Sequence, residues 1–133
     1  MSVIFLSQLY VQDTRVRILG IRSDKGKIML HVFKDAQSYE KQEPYKTIHL
    51  GKDGLSAKGS LVRHINLQSG VYGITLVDDE NDNGEIERNV TGMPKEGIGY
   101  SDFYPERIKK ASFEDFKVNL EQKHALDIRV KYL

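Results

Sequence analysis

Alternation of apolar and polar residues runs through most of the chain. In "TRVRILGIR" (Thr14 to Arg22), Val16 and Ile18 share one side and Arg15 and Arg17 the other, the two-residue period of a strand with one buried face. "KIMLHVF" resumes the period at Ile28, Leu30 and Val32. The intervening "SDKG" has tight-turn chemistry, so the two stretches read as a β-hairpin. "SLVRHINL" sets Leu61, Arg63, Ile65 and Leu67 against Val62 and His64. "ALDIRVKYL" sets Leu126, Ile128, Val130 and Tyr132 against Asp127, Arg129 and Lys131. "KTIHL", "GVYGITLVD" and "FEDFKVNL" complete the strands, the last with Phe116, Val118 and Leu120 on one face. "GVYGITLVD" reads as central because it is rich in β-branched and aromatic residues. The polar "DAQSYEKQEPY" predicts a loop with one helical turn, since Pro44 stops anything longer.

Short strands separated by turn signals, without an amphipathic helix, predict an all-β fold: an antiparallel β-sandwich of about seven strands. Residues 1–133 form a single domain on this reading, with 1–13 an N-terminal extension or an edge strand. The rhythm fails only from Asp78 to Ser112, so one long loop is expected at 78–112. Ordinary connections run to about 4–6 residues, and a loop this long is usually functional or held by something other than a core.

Composition changes the picture little. Hydrophobic residues at 39% and charged residues at 29% suit an ordinary globular domain. Lys and Arg (20) nearly cancel Asp and Glu (19), so no overall field draws the chain to nucleic acid, and none is expected as a partner. The absence of cysteine excludes disulfides, thiolate metal sites and a cysteine nucleophile. No apolar run approaches the roughly 20 residues of a transmembrane helix. The opening "MSVIFLSQLYV" is apolar but short and has no preceding Lys or Arg, so it makes no clear signal peptide.

Charge is concentrated in one place. Asp78, Asp79, Glu80, Asp82, Glu85 and Glu87 crowd together, and Arg88 is the only cation near them in sequence. With Asp79 as position one, Asn81 is three, Asn83 five, Gly84 six, Glu85 seven and Glu87 nine. This is the first three-quarters of a D-x-[DN]-x-[DN]-G calcium loop. Alternate side chains of a tightly curling loop point inward, a hard cation wants six to eight oxygens, and a glycine permits the sharp turn. The expected metal ligands are therefore Asp79, Asn81, Asn83, Glu85 and Glu87, with Asp78, Asn89 and Glu96 as further donors. Position twelve is Val90, where a complete loop carries a bidentate Glu. The competing view is a solvated turn, because Asp, Asn and Gly are turn formers in their own right. Calcium is the expected ion, since magnesium demands stricter geometry.

"GIRSDKGKIMLHVF", "LQSGVYGITLVDDENDNGEIERNVTGMPKEGIGYS" and "SFEDFKVNL" together resemble the bacterial family catalogued as domain of unknown function twenty-one forty-one. The similarity covers roughly Val16 to Tyr132, and its most specific part is the acidic loop followed by "GMPKEGIGYS". The resemblance implies an immunoglobulin- or transthyretin-like β-sandwich, a periplasmic or extracellular location and no established activity. Asp79, Asn81, Asn83, Gly84, Asn89, Gly92, Pro94, Glu96, Gly97, Gly99 and Ser101 match the family's pattern. Asp78 departs from it, standing where His is common, and Glu87 stands where Asp is usual.

The remaining candidates are weaker. His31, His49, His64 and His124 are dispersed, none at a zinc spacing. No G-x-S-x-G occurs, and "GIG" lacks the strand-to-helix context of a dinucleotide fingerprint. Tyr100, Phe103 and Tyr104 beside the acidic segment offer a platform for a carbohydrate or protein ligand, although aromatic residues in such places more often bury a loop. The expected function is a non-catalytic, exported binding or structural module with a calcium-stabilised loop. The alternative is a metal-assisted hydrolase using Asp78, Asp79, Glu87 and Glu96.

Overall fold

The computed structural model describes residues 11–82, 96–106 and 110–132. Eight strands are present among them: β1 (Val11–Leu19), β2 (Lys27–Phe33), β3 (Lys46–Leu50), β4 (Leu61–Gln68), β5 (Val71–Asp79), β6 (Gly97–Tyr100), β7 (Lys117–Asn119) and β8 (Ala125–Arg129). Two short helices, α1 (Ala36–Glu40) and α2 (Phe113–Phe116), interrupt them. One sheet has the order β4-β1-β8 and the other β3-β2-β5-β6, with β7 also on β5. The pairings are antiparallel except that β8 runs parallel to β1. The predicted all-β sandwich is the observed architecture. No helix among the described residues is long and apolar enough to cross a membrane.

The expected β1–β2 hairpin does not form. β1 pairs with β4 and β8, whereas β2 pairs with β3 and β5, so the 20–26 connection crosses from one sheet to the other. Turn chemistry marks where the chain reverses but not which sheet receives the next strand. Gly20, at φ +79, ends β1, and the buried Ile21 donates its N–H to the Gly59 carbonyl. Val16 and Ile18 then meet Ile28, Leu30 and Val32 across the core instead of along one face.

That core lies between the sheets and also takes Leu61, Ile65, Leu67, Ile74, Leu76, Leu126 and Ile128. β4 and β8 keep one wet face, as their alternation predicts. β2 and β5 do not: their burial is almost continuous. The outer face of their sheet carries a second, aromatic core of Phe33, Tyr39, Tyr100, Ala111, Phe113 and Phe116. The two helices supply much of it. α1 is capped by Asp35, whose carboxylate accepts the Ser38 N–H at 2.8 Å. α2 replaces the first half of the strand expected from "FEDFKVNL", because Asp115 turns back to accept the Ser112 N–H at 3.0 Å. Gly73 leaves room for these rings, since a Cβ there would lie 2.7 Å from both Phe113 and Phe116.

Within the expected 78–112 loop the structure places β6. Glycines such as Gly97 and Gly99 suit turns, but here they permit close packing. A Cβ on Gly97 would lie 2.4 Å from the Tyr132 ring, and one on Gly99 2.4 Å from Ile128. β6 and β7 lie end to end along one edge of β5, opposite Thr75–Asp78 and Val71–Gly73 respectively. Buried Ser101 fills the seam. Its N–H bonds the Ile74 carbonyl, while its hydroxyl accepts from the Ile74 N–H and donates to the Phe116 carbonyl. At the same margin Ile98 and Lys131 exchange backbone hydrogen bonds, joining the two sheets after β8.

Candidate functional site

The acidic segment leaves the sandwich at the end of β5, and three pieces of chain converge there. The 20–26 connection approaches so closely that a Cβ on Gly26 would lie 1.9 Å from the Asp79 carbonyl oxygen, and Gly26 itself has φ +71. The "GKDG" turn after β3 brings in Lys52. The chain after β8 brings in Tyr132.

Lys52 and Asp78 form a buried ion pair at 2.7 Å, with side chains 2% and 0% exposed. Lys52 Nζ also donates to the carbonyls of Ser23 (2.9 Å) and Lys25 (2.6 Å). Asp78 Oδ1 receives no well-directed hydrogen bond, so charge carries its contact with the ammonium. Asp78 Oδ2 accepts the Tyr132 hydroxyl at 2.5 Å. Burial, and after it this bond to Asp78, raises the Tyr132 phenol above its usual range. A single ammonium thus ties together two turns and the end of a central strand.

Two further cations meet the next acids. Arg22 grips Glu80, with Nη2 2.6 Å from Oε1 and Nε 3.1 Å from Oε2, and Ser23 Oγ donates to Oε2 at 2.7 Å. Hydrogen bonding from Arg22 holds the Glu80 carboxyl at about 2, below the usual carboxylate range, against the opposing effect of burial. The same guanidinium stacks 4.3 Å from the centre of the Tyr132 ring. Lys27 pairs with Asp82 at 2.9 Å. The repulsion read from the sequence counted only Arg88; folding supplies Lys52, Arg22 and Lys27 to Asp78, Glu80 and Asp82. Each of these three cations lies more than twenty positions from its acid, so no spacing signal could have marked them.

Among the expected metal donors, Asp79 is buried and Asn81 exposed, while Asp78 has its two oxygens at Lys52 and Tyr132. Glu96 is buried immediately before β6. Asn83, Glu85, Glu87 and Asn89 lie outside the described residues. No group of three His, Cys, Asp or Glu able to hold a metal is present among the described residues. An open cleft of about 460 Å³ lies beside Lys52, between Asp24 and Gly26 on one side and Asp53, Gly54 and Leu55 on the other.

The three aromatic residues expected as a ligand platform have different surroundings. Tyr100 belongs to the aromatic core, with its ring centre 5.0 Å from Phe116 and 6.3 Å from Phe103, and its hydroxyl accepts the Ala111 N–H. Phe103 is half-buried against the same core. Tyr104 is 49% exposed, with Arg129 and Lys131 over its ring.

A family model described as an uncharacterized protein conserved in bacteria (DUF2141) matches residues 16–128. No curated protein matches the chain, and no solved structure does.

Proposed function

We propose, from the premise that the chain belongs to this DUF2141 family of uncharacterised bacterial proteins, that it is a non-catalytic binding or structural module whose acidic segment takes calcium. The observation that carries the reading is a two-residue split at the base of the segment. The acids at even positions, Asp78, Glu80 and Asp82, are each held by a framework cation. The odd positions, Asp79, Asn81, Asn83, Glu85 and Glu87, are those of the calcium motif. A framework that neutralises the off-motif acids lowers the repulsion that a crowded acidic segment would otherwise set against gathering the motif's oxygens around a dication.

Val90 in place of the bidentate Glu fits the weaker class of calcium sites, about 10⁻⁴–10⁻³ M, which serve where the ion is abundant. The module is accordingly exported, in agreement with the resemblance seen in its sequence. Its sandwich is immunoglobulin- or transthyretin-like, a reading supported by two packed sheets with chain crossings between them.

Isothermal titration with calcium chloride, paired with melting curves in calcium and in chelator, tests the proposal. Heat of binding and a higher melting temperature in calcium are expected, both weakened in Asp79→Asn. No heat and coincident melting curves would remove calcium from the account. Fractionation of host cells tests export separately, with the chain expected outside the cytoplasm.

A further inference from the structure

Two margins of the sandwich differ in what covers them. On one, β6 is joined to Lys131, and Asp102 exchanges hydrogen bonds with the Asp127 backbone beside β8. On the other, β3 and β4 end their sheets. The directions of β4's backbone groups follow from its neighbour. Arg15 N–H and Leu19 C=O bond toward the β8 side, so the odd residues of β1 face β8 and Thr14, Val16 and Ile18 face β4. Their partners are Ile65, Arg63 and Leu61. Val62, His64, Asn66 and Gln68 therefore direct their N–H and C=O groups away from the sheet. Arg63 Nη1 reaches the Val62 carbonyl and the Tyr72 hydroxyl reaches that of Gln68. No described residue pairs with the middle of this edge.

Natural sheets protect such edges with Lys, Pro, inward charges or bulges. β4 contains no Lys, Asp, Glu, Pro or Gly, and it pairs with β1 without a bulge. Its one arginine, Arg63, holds the Gly51 and Asp53 carbonyls at 2.9 and 2.6 Å through Nη2, and of the edge groups it covers only the Val62 carbonyl. β3 contrasts with it, being shorter, carrying Lys46 and turning only Thr47 and His49 outward.

We propose that β4 pairs antiparallel with β4 of a second copy of this chain, about a two-fold axis at Ile65. In that register His64 lies opposite Asn66 of the second copy and Val62 opposite its Gln68. The His64–Asn66 pairs can exchange both backbone hydrogen bonds, while the Val62 and Gln68 carbonyls, which already accept from Arg63 and Tyr72, have only a second lone pair to offer. Arg63 falls opposite Leu67, so the two arginines do not face each other. Val62, 41% exposed in the single chain, gains cover from the Gln68 side chain. A second copy is the fitting occupant because the edge is self-complementary and because a two-fold contact uses up both edges and closes. The product is one continuous sheet, β8-β1-β4 meeting β4-β1-β8.

Sedimentation velocity over about a hundredfold range of concentration reads the association directly. A reversible dimer is expected. Asn66→Pro removes an outward N–H and no bond to β1, so it should abolish the dimer and leave the melting temperature of the monomer unchanged. Asn66→Lys, which gives the edge the guarding lysine that β4 lacks, should abolish it without the backbone change. Thr47→Lys on the β3 edge should leave it intact. A chain that is monomeric at every concentration, even one that captures an extended peptide along β4, overturns the proposal. So does a dimer indifferent to both Asn66 variants.

Discussion

Lys52–Asp78 and Arg17–Asp127 are ion pairs of the same length, 2.7 Å, in one small domain. The first is buried in the junction beneath the acidic segment. The second lies on the outer face of the three-stranded sheet, with both side chains about half exposed, 46% and 50%. Distance is thus no guide to their weight. On the surface, water and salt screen the attraction and the side chains give up mobility to make it. In the junction the two charges have already lost their water, so each is tolerated only because the other is present. Arg22–Glu80 stands between them, with the acid mostly covered and the arginine half exposed.

The comparison breaks first at Lys52. Lys52→Met leaves Asp78 buried without its cation and two carbonyls without their donor, and should destabilise the fold by about 3–5 kcal/mol in chemical denaturation. Lys52→Met combined with Asp78→Leu should recover much of that loss, because an apolar pair needs no compensation. If the single variant melts like the parent, burial is not what distinguishes the two pairs. The intermediate case is read by acid. The Glu80 carboxyl titrates at about 2 in the fold against an ordinary 4.5. Its depressed value means that the stabilisation is fully present above pH 4.5 and is lost as pH falls toward 2. Screening around the half-exposed Arg22 limits the effect to about 1 kcal/mol. The stability gap between the parent and Glu80→Gln should therefore close over that window, and a constant gap would contradict the pairing. The smallest effect is expected from Arg17→Ala, whose melting temperature should match the parent's within error at moderate salt.

Much of the fold was legible in the sequence. Val16, Ile18, Ile65, Leu67, Leu126, Ile128 and Val130 are buried where alternation placed them, because period two follows from strand geometry alone. β6 was missed because Gly97 and Gly99 look like turn residues until Tyr132 and Ile128 are seen packed against them. The hairpin reading of 14–33 failed because alternation states which face is apolar, not which sheet a strand joins. For the site, the sequence made the crowded acids plain, yet it was silent on Lys52, Arg22 and Lys27. Their partners lie 26, 58 and 55 residues away, beyond any local pattern.

By itself, then, the sequence determined a β-rich domain, the strands' buried faces and an acidic stretch at the end of a central strand. These are properties of side-chain order along a chain with a fixed local repeat. Only the tertiary structure decided that β1 and β2 face each other across a core, that a glycine pair makes a strand, and which acids are matched by cations. Those outcomes depend on which distant segments come into contact.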